Sequence, residues 1–313
     1  MVEHLRRQGE IRNFMLGLRA QAHAQDGGLM LAATGRRPPP AGPARKRQGA
    51  AAGKVLATTV EAGIIPRLLL AFRDPSQAPA EPAAEGDSPA VVEFCRVVLG
   101  GTIDEALDFV ESLRADHQTL ETIYIDLVEP AARRLGDLWN ADALDFVKVT
   151  AAVLRLQHLL HHFGLAFRRE IESREHGHRA LLVPAPGERG SFGHLMFGTF
   201  ELALAAEFLR RDGWDACVDS SASSADAVGI VGREWFDVIE LSLSSESRLD
   251  ELTTGIRQIR RASRNGALGV MVGGPVFKDH PEMVSRVGAD VVATSGRQAA
   301  LQADNLMEQL RTR

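Results

Sequence analysis

Two cysteines in 313 residues allow at most one disulfide, too little to staple a secreted scaffold of this size. Cys95 and Cys217 therefore read as reduced thiols. No run of about 18 apolar residues could span a bilayer. The N-terminus lacks the long uncharged apolar core of a signal peptide, so the expected location is cytoplasmic. Catalytic signatures are missing as well. The loops hold no Ser-His-Asp order, no Cys-x-x-Cys and no Walker lysine. "GERGSFG" has glycines at 187, 190 and 193, an even spacing that differs from the dinucleotide fingerprint G-x-G-x-x-G. No helix-turn-helix pattern is evident, which argues against independent sequence-specific reading of DNA. What remains is a binding protein without catalytic machinery of its own.

The charge that is present is unevenly distributed. Residues 1–54 carry a net +7 and the remainder a net −12. A basic arm on an acidic body is either a solvated tail or a surface for nucleic acid or an acidic partner. Arg6, Arg12 and Arg19 would form a cationic stripe on a first helix over 3–24, suited to phosphate contact or to docking on a regulator. A Gly/Pro/Ala-rich linker follows, then an isolated amphipathic helix over 54–72 and a second linker. Residues 1–87 thus form one N-terminal region.

From 88 to 173 the periodicity is helical throughout. Four helices with short connections predict a small antiparallel bundle. "TIDEALDF" carries a capping-box spacing at Thr102 and Glu105. At 179 the rhythm changes. The runs "RALLVPA", "WDACVDS", "FDVIELSLS", "GVMVGGPV" and "ADVVATS" alternate with helical stretches to the end of the chain. Five such units predict an α/β domain over 179–313, a doubly wound, five-stranded parallel sheet with helices on both faces. Its ligand crevice would lie beyond the carboxyl ends of the strands.

The loops that would line this crevice are mostly Gly and Ser: "PGERGSFGH", "DSSASS", "SLSSES", "GGP" and "TSGR". Glycine lets backbone approach a ligand closely, and hydroxyls with free amides suit phosphates and amides. The crevice looks built to hold a long polar ligand. His194 either caps the following helix or ligates a metal as a neutral imidazole; Glu188 is either the acceptor that fixes its tautomer or a loop-surface charge. His158, His161 and His162 share one helix face, either as a cationic helix end or as metal ligands. Trp139, Ser242, Ser244, Gly273 and Gly274 each have a plain structural reading as core, cap or turn.

A four-helix bundle followed by a flavodoxin-like (Rossmann-like) domain resembles the cobalamin (vitamin B12)-binding domain family. The resemblance is carried by Glu188 and Gly193 of the Asp/Glu-x-His-x-x-Gly loop, by Ser242 of Ser-x-Leu and by the Gly273–Gly274 pair. Trp139 fits the tryptophan of a Trp-x9-Glu-His motif in the bundle. "ATTVEAGIIPRLLLAF", "LGDLWNADALDFVKVTAAVLRLQHLLHHF" and "VMVGGPVF" are most similar to the AerR/PpaA type, cobalamin-binding antirepressors of photosynthesis genes. The resemblance implies a cofactor held by Trp139 and Val149 of the bundle, by Glu188, Ser191, Phe192, Gly193 and His194 of the first loop, and by Ser242, Ser244, Gly273 and Gly274. The family's loop histidine position is Gly190 here, so the ligand to cobalt is either His194, four residues on, or absent. Val149 and Thr150 stand where the family has Glu-His, which points to a hydroxo or aquo corrinoid over adenosylcobalamin. Haem is the alternative cofactor, and a methyl-carrying subunit of a methyltransferase is the alternative role. The implied partner is a transcriptional repressor, tuned by light, redox or cobalamin state, with no membrane involved and at most an indirect DNA contact through the basic arm.

Overall fold

The computed structural model describes residues 87–171, 177–188, 197–220 and 224–311. The expected helices over 3–24 and 54–72, both linkers, and the loop residues Gly190, Ser191, Phe192, Gly193 and His194 lie outside them.

The helical part opens with α1 (Pro89–Gly100) and α2 (Ile103–Ala115). Ser88 caps α1, its side chain accepting from the Val91 N–H, and Pro89 sits in the first turn, where its missing donor costs nothing. The capping box expected at Thr102 forms in full. The Thr102 hydroxyl accepts from the Glu105 N–H, and the Glu105 carboxylate accepts from the Thr102 N–H. The third helix runs as α3 (Leu120–Ile123), a π-helical turn (Tyr124–Val128) and α4 (Glu129–Asn140). Pro130 explains the π turn: its ring displaces a carbonyl one turn back, and the Glu129 N–H donates instead to the Tyr124 carbonyl. The long α5 (Phe146–Arg168) begins at Asp145, which accepts from the Lys148 N–H.

The second part contains β1 (Arg179–Pro184), α6 (Thr199–Arg211), β2 (Asp215–Val218), α7 (Ser224–Arg233) and β3 (Val238–Ser242). After a 3₁₀ turn come α8 (Leu249–Ala262), β4 (Gly269–Gly273), α9 (Pro275–Asp279), α10 (Met283–Val287), β5 (Val291–Ala293) and α11 (Gly296–Arg311). The five strands are parallel, as the alternation of strands and helices implied, and their order β2-β1-β3-β4-β5 is the flavodoxin-like one that the resemblance implied. Pro184, Ser242 and Gly273 stand side by side at the carboxyl edge.

Side chains alternate between two cores, as strand geometry requires. Leu181, Val183, Ile239, Leu241, Val270 and Val272 pack with α7, α8 and α9. Ala180, Leu182, Val238 and Met271 pack with α6 and α11, and this second core is continuous with that of the bundle. The join is aromatic: Tyr124 stacks on Phe167 at 4.7 Å between ring centroids, and Phe208 of α6 closes on Phe167 at 5.0 Å. Fully burying one such ring is worth roughly 1.5–3 kcal/mol. Arg211 lies over the Phe167 ring and pairs with Glu121 at 2.8 Å, fixing the angle at which the bundle meets α6.

Among the described residues Cys95 and Cys217 form no disulfide. No helix there is long and apolar enough to cross a membrane.

Candidate cofactor site

The bundle leans on α6, which leaves α4 facing the carboxyl ends of the strands across a cavity of about 300 Å³. Arg133, Gly136, Asp137 and Asn140 of α4 form one wall. Phe197, Glu201, Leu204 and Ala205 at the start of α6 form a second. The floor is Glu240, Ser242 and Ser244 of β3 and its loop, Gly274, Pro275 and Lys278, and the Thr294–Gly296 turn.

Three of the residues expected at the cofactor, Ser242, Ser244 and Gly274, meet in this cavity. Gly273 is adjacent in β4, and a Cβ there would come within 3.1 Å of the Glu240 Oε1. Its lack of a side chain makes room for that carboxyl. Trp139 and Val149 are buried and are not among the lining residues. Glu188 is fully buried, so it is an acceptor and not a loop-surface charge. It accepts from the Ser244 N–H at 3.0 Å and from the Ser244 hydroxyl at 2.5 Å, tying the loop after β1 to the loop after β3. Ser191, Phe192, Gly193 and His194 fall outside the described residues, as does Gly190. His158, His161 and His162 are exposed on α5, and no group of three or more His, Cys, Asp or Glu among the described residues could hold a metal.

Gly274 adopts φ +97°, and a Cβ there would collide with the Leu243 backbone. Only glycine combines that conformation with so close an approach. Gly274→Ala is expected to cost about 2 kcal/mol of stability in urea unfolding. Unchanged stability would show that the β4–α9 turn reshapes freely.

The cavity also collects acids that the loop inventory passed over. Glu240 points from the middle of β3 into the α6 side and is 6% exposed, and its Oε2 has no hydrogen-bond partner. Burial, with Glu201 nearby, pushes its carboxyl up to about 8. Surrounding protein and the charge of Glu129 push Glu201 up to about 7, with Lys278 opposing. Glu201 is nonetheless open to the cavity, whose water works against that rise. Glu129 is raised by burial, against Arg133 and Lys278. A charged residue inside the apolar run "FDVIELS" was the visible signal for Glu240. Glu129 and Glu201 gave none, because they come from different helices.

These residues suit one end of a long amphiphilic ligand: hydroxyls and two cations for a phosphodiester, apolar walls for a flat group, and an orphaned buried carboxyl for a polar ring atom. The volume is at the low end for organic ligands, roughly 300–1,000 Å³.

Residues 197–303 match the family model described as the B12 binding domain, which bears out the resemblance read from the strand-end loops. A protein of Rhodobacter capsulatus, described as an uncharacterized 20.5 kDa protein in the bchF-crtJ intergenic region, is 26% identical over 182 residues. That match covers 58% of this chain and 90% of the relative. Among solved structures, the monomethylamine corrinoid protein of Methanosarcina barkeri superposes with a TM-score of 0.55 at 12% identity. The superposition covers 70% of this chain and 98% of that one, a likeness of fold. A cobalamin-binding protein of Desulfitobacterium hafniense aligns at 15% identity, over 71% of this chain and 97% of its own, with a TM-score of 0.34.

Proposed function

We propose that this chain is a non-enzymatic, cobalamin-binding regulator that adjusts a DNA-binding repressor of photosynthesis genes through protein–protein contact. The observation that carries the reading is the cavity between α4 and the sheet edge, where Ser242, Ser244 and Gly274 converge within the segment matched to the B12 binding domain. The relative from the bchF-crtJ region supports the link to photosynthesis genes.

In this reading the cavity receives the nucleotide tail, and His194 ligates cobalt from the loop after β1. A bound corrinoid would supply a cobalt centre whose axial ligation answers to light or redox state. The favoured form is hydroxo- or aquocobalamin, because Val149 and Thr150 replace the Glu-His expected beside an adenosyl group. The chain's own contribution is the bundle, held on α6 by Phe167, Phe208 and the Arg211–Glu121 pair. Cofactor state acts by favouring one setting of α4 over the sheet edge, and a ligand shifts such an equilibrium only by its difference in affinity for the two settings.

A gel-shift titration of the repressor on its operator, with this chain apo or loaded with hydroxocobalamin, tests the reading. The loaded chain is expected to change the repressor's apparent affinity about tenfold or more, a coupling of ~1.4 kcal/mol. An identical curve with and without corrinoid would contradict it. Transfer of a methyl group from a small donor to the bound corrinoid, with no effect on the repressor, would point to a methyl carrier instead.

A further inference from the structure

Glu240 is a buried acid of the cavity floor whose chemistry the reading above leaves unused. It stands in the central strand β3, opposite Leu182 and Met271, and shares its face with Val238 and Ser242. Its carboxyl is more than nine-tenths buried, lines the cavity, and has Oε2 without a hydrogen-bond partner. Among the described residues, the other charged groups lining this cavity are Glu129, Arg133 and Asp137 of α4, Glu201 of α6 and Lys278 of α9.

An ionised carboxylate buried without donors is costly, whereas the neutral acid gives one O–H donor and keeps a carbonyl acceptor. Burial and the neighbouring Glu201 both favour that neutral form. A neutral carboxyl aimed into an apolar-walled cavity by Phe197, Leu204 and Ala293 suits a flat ring that presents an unprotonated nitrogen. A carboxylate would instead face that lone pair and repel it.

We propose that Glu240 is the specificity-determining residue of the cavity, donating a hydrogen bond as a neutral acid to the unprotonated ring nitrogen of a corrinoid's heteroaromatic tail base. The inference rests on the corrinoid reading and adds to it a selection for corrinoids that carry a base. Arg133 and Lys278 set the orientation by lying on the α4 and α9 sides, where the tail's phosphodiester would pass. Binding of the base end is then strongest where Glu240 keeps its proton and declines as that proton is lost. Gln keeps a donor at the same reach and cannot titrate.

Equilibrium dialysis of the full chain against cyanocobalamin and against cobinamide, which lacks the nucleotide tail, tests this at about pH 6 and about pH 9. Wild type should bind cyanocobalamin about tenfold more weakly at the higher pH, and Glu240→Gln should show no such loss. Glu240→Ala should weaken cyanocobalamin about tenfold at the lower pH, and cobinamide should respond to neither substitution nor to pH. A Gln variant as impaired as Ala would overturn the inference, because a charge would then be needed. Equal responses of the two corrinoids would overturn it too, since Glu240 would be acting on the fold. Wild type that retains cyanocobalamin with a flat pH profile defeats the neutral-acid donor and leaves the corrinoid reading standing. Wild type that retains neither corrinoid defeats both. Should the Ala variant fail to fold, the Gln variant and the wild-type pH profile decide the matter.

Discussion

Raising the pH from about 5 to about 9 should lower the chain's unfolding free energy by several kcal/mol, and Glu240→Gln should remove most of that loss. The sign follows from the direction of the shift. Glu240 has its ordinary value of 4.5 in the unfolded chain and is pushed up to about 8 when folded. The native state therefore binds the proton more tightly, and this stabilisation is fully present below the unfolded value. It is lost as pH rises through the folded one. Each unit of separation is worth ~1.4 kcal/mol, so one group raised this far has a large effect in a protein of ordinary stability. Glu201 and Glu129 are raised in the same direction and add to the trend, Glu201 less than its burial alone would suggest because it faces cavity water. Urea unfolding across that range measures the effect through the midpoint at constant slope. Stability that is level or rises with pH would show that water reaches Glu240 freely.

Glu188→Ala is expected to destabilise the chain by about 3 kcal/mol and to weaken corrinoid retention more than its distance from the cavity would suggest. Glu188 is fully buried and takes two hydrogen bonds from one residue, Ser244. Truncation leaves the Ser244 N–H and hydroxyl without their acceptor and opens a void beneath the strand ends. Ser244 lines the cavity, so loosening it moves the floor on which the ligand would rest. Glu188→Gln separates the two contributions. The amide oxygen can still accept from the Ser244 N–H while its N–H₂ donates to the Ser244 hydroxyl, which then accepts, so most of the loss should return. Thermal melts of both variants measure the first effect, and dialysis against hydroxocobalamin the second. A Glu188→Ala protein with wild-type stability would mean that Ser244 finds another partner.

Much of the fold was legible because it rests on local periodicity. The β1 run "RALLVP" is apolar at both parities, as a strand covered on two faces must be, and Thr102–Glu105 announced a helix start that forms as read. The π turn before Pro130 was not read, although its cause, a proline inside a helical run, is in plain view. The candidate site was legible where the backbone alone decides it. Ser242 and Gly274 reach the cavity because strand ends and turns must, and Gly274 because its φ admits no side chain. Trp139 could not be placed that way, since a helix residue faces core or cavity according to the helix's rotation, and α4 turns Asn140 and Gly136 to the cavity instead. The Glu129–Glu201–Glu240 grouping needs three elements brought together, and no spacing within one element carries it. Glu188 was read as the acceptor for His194, which lies outside the described residues; the donor that the structure describes is Ser244, 56 positions along the chain.

The absorbance spectrum of the purified chain, desalted after mixing with hydroxocobalamin, adenosylcobalamin or haemin in turn, bears most directly on corrinoid binding. Stoichiometric retention of corrinoid absorbance from hydroxocobalamin, with a band position that shifts in His194→Ala, is the expected result. Retention of haemin alone, or of no cofactor at all, would contradict it.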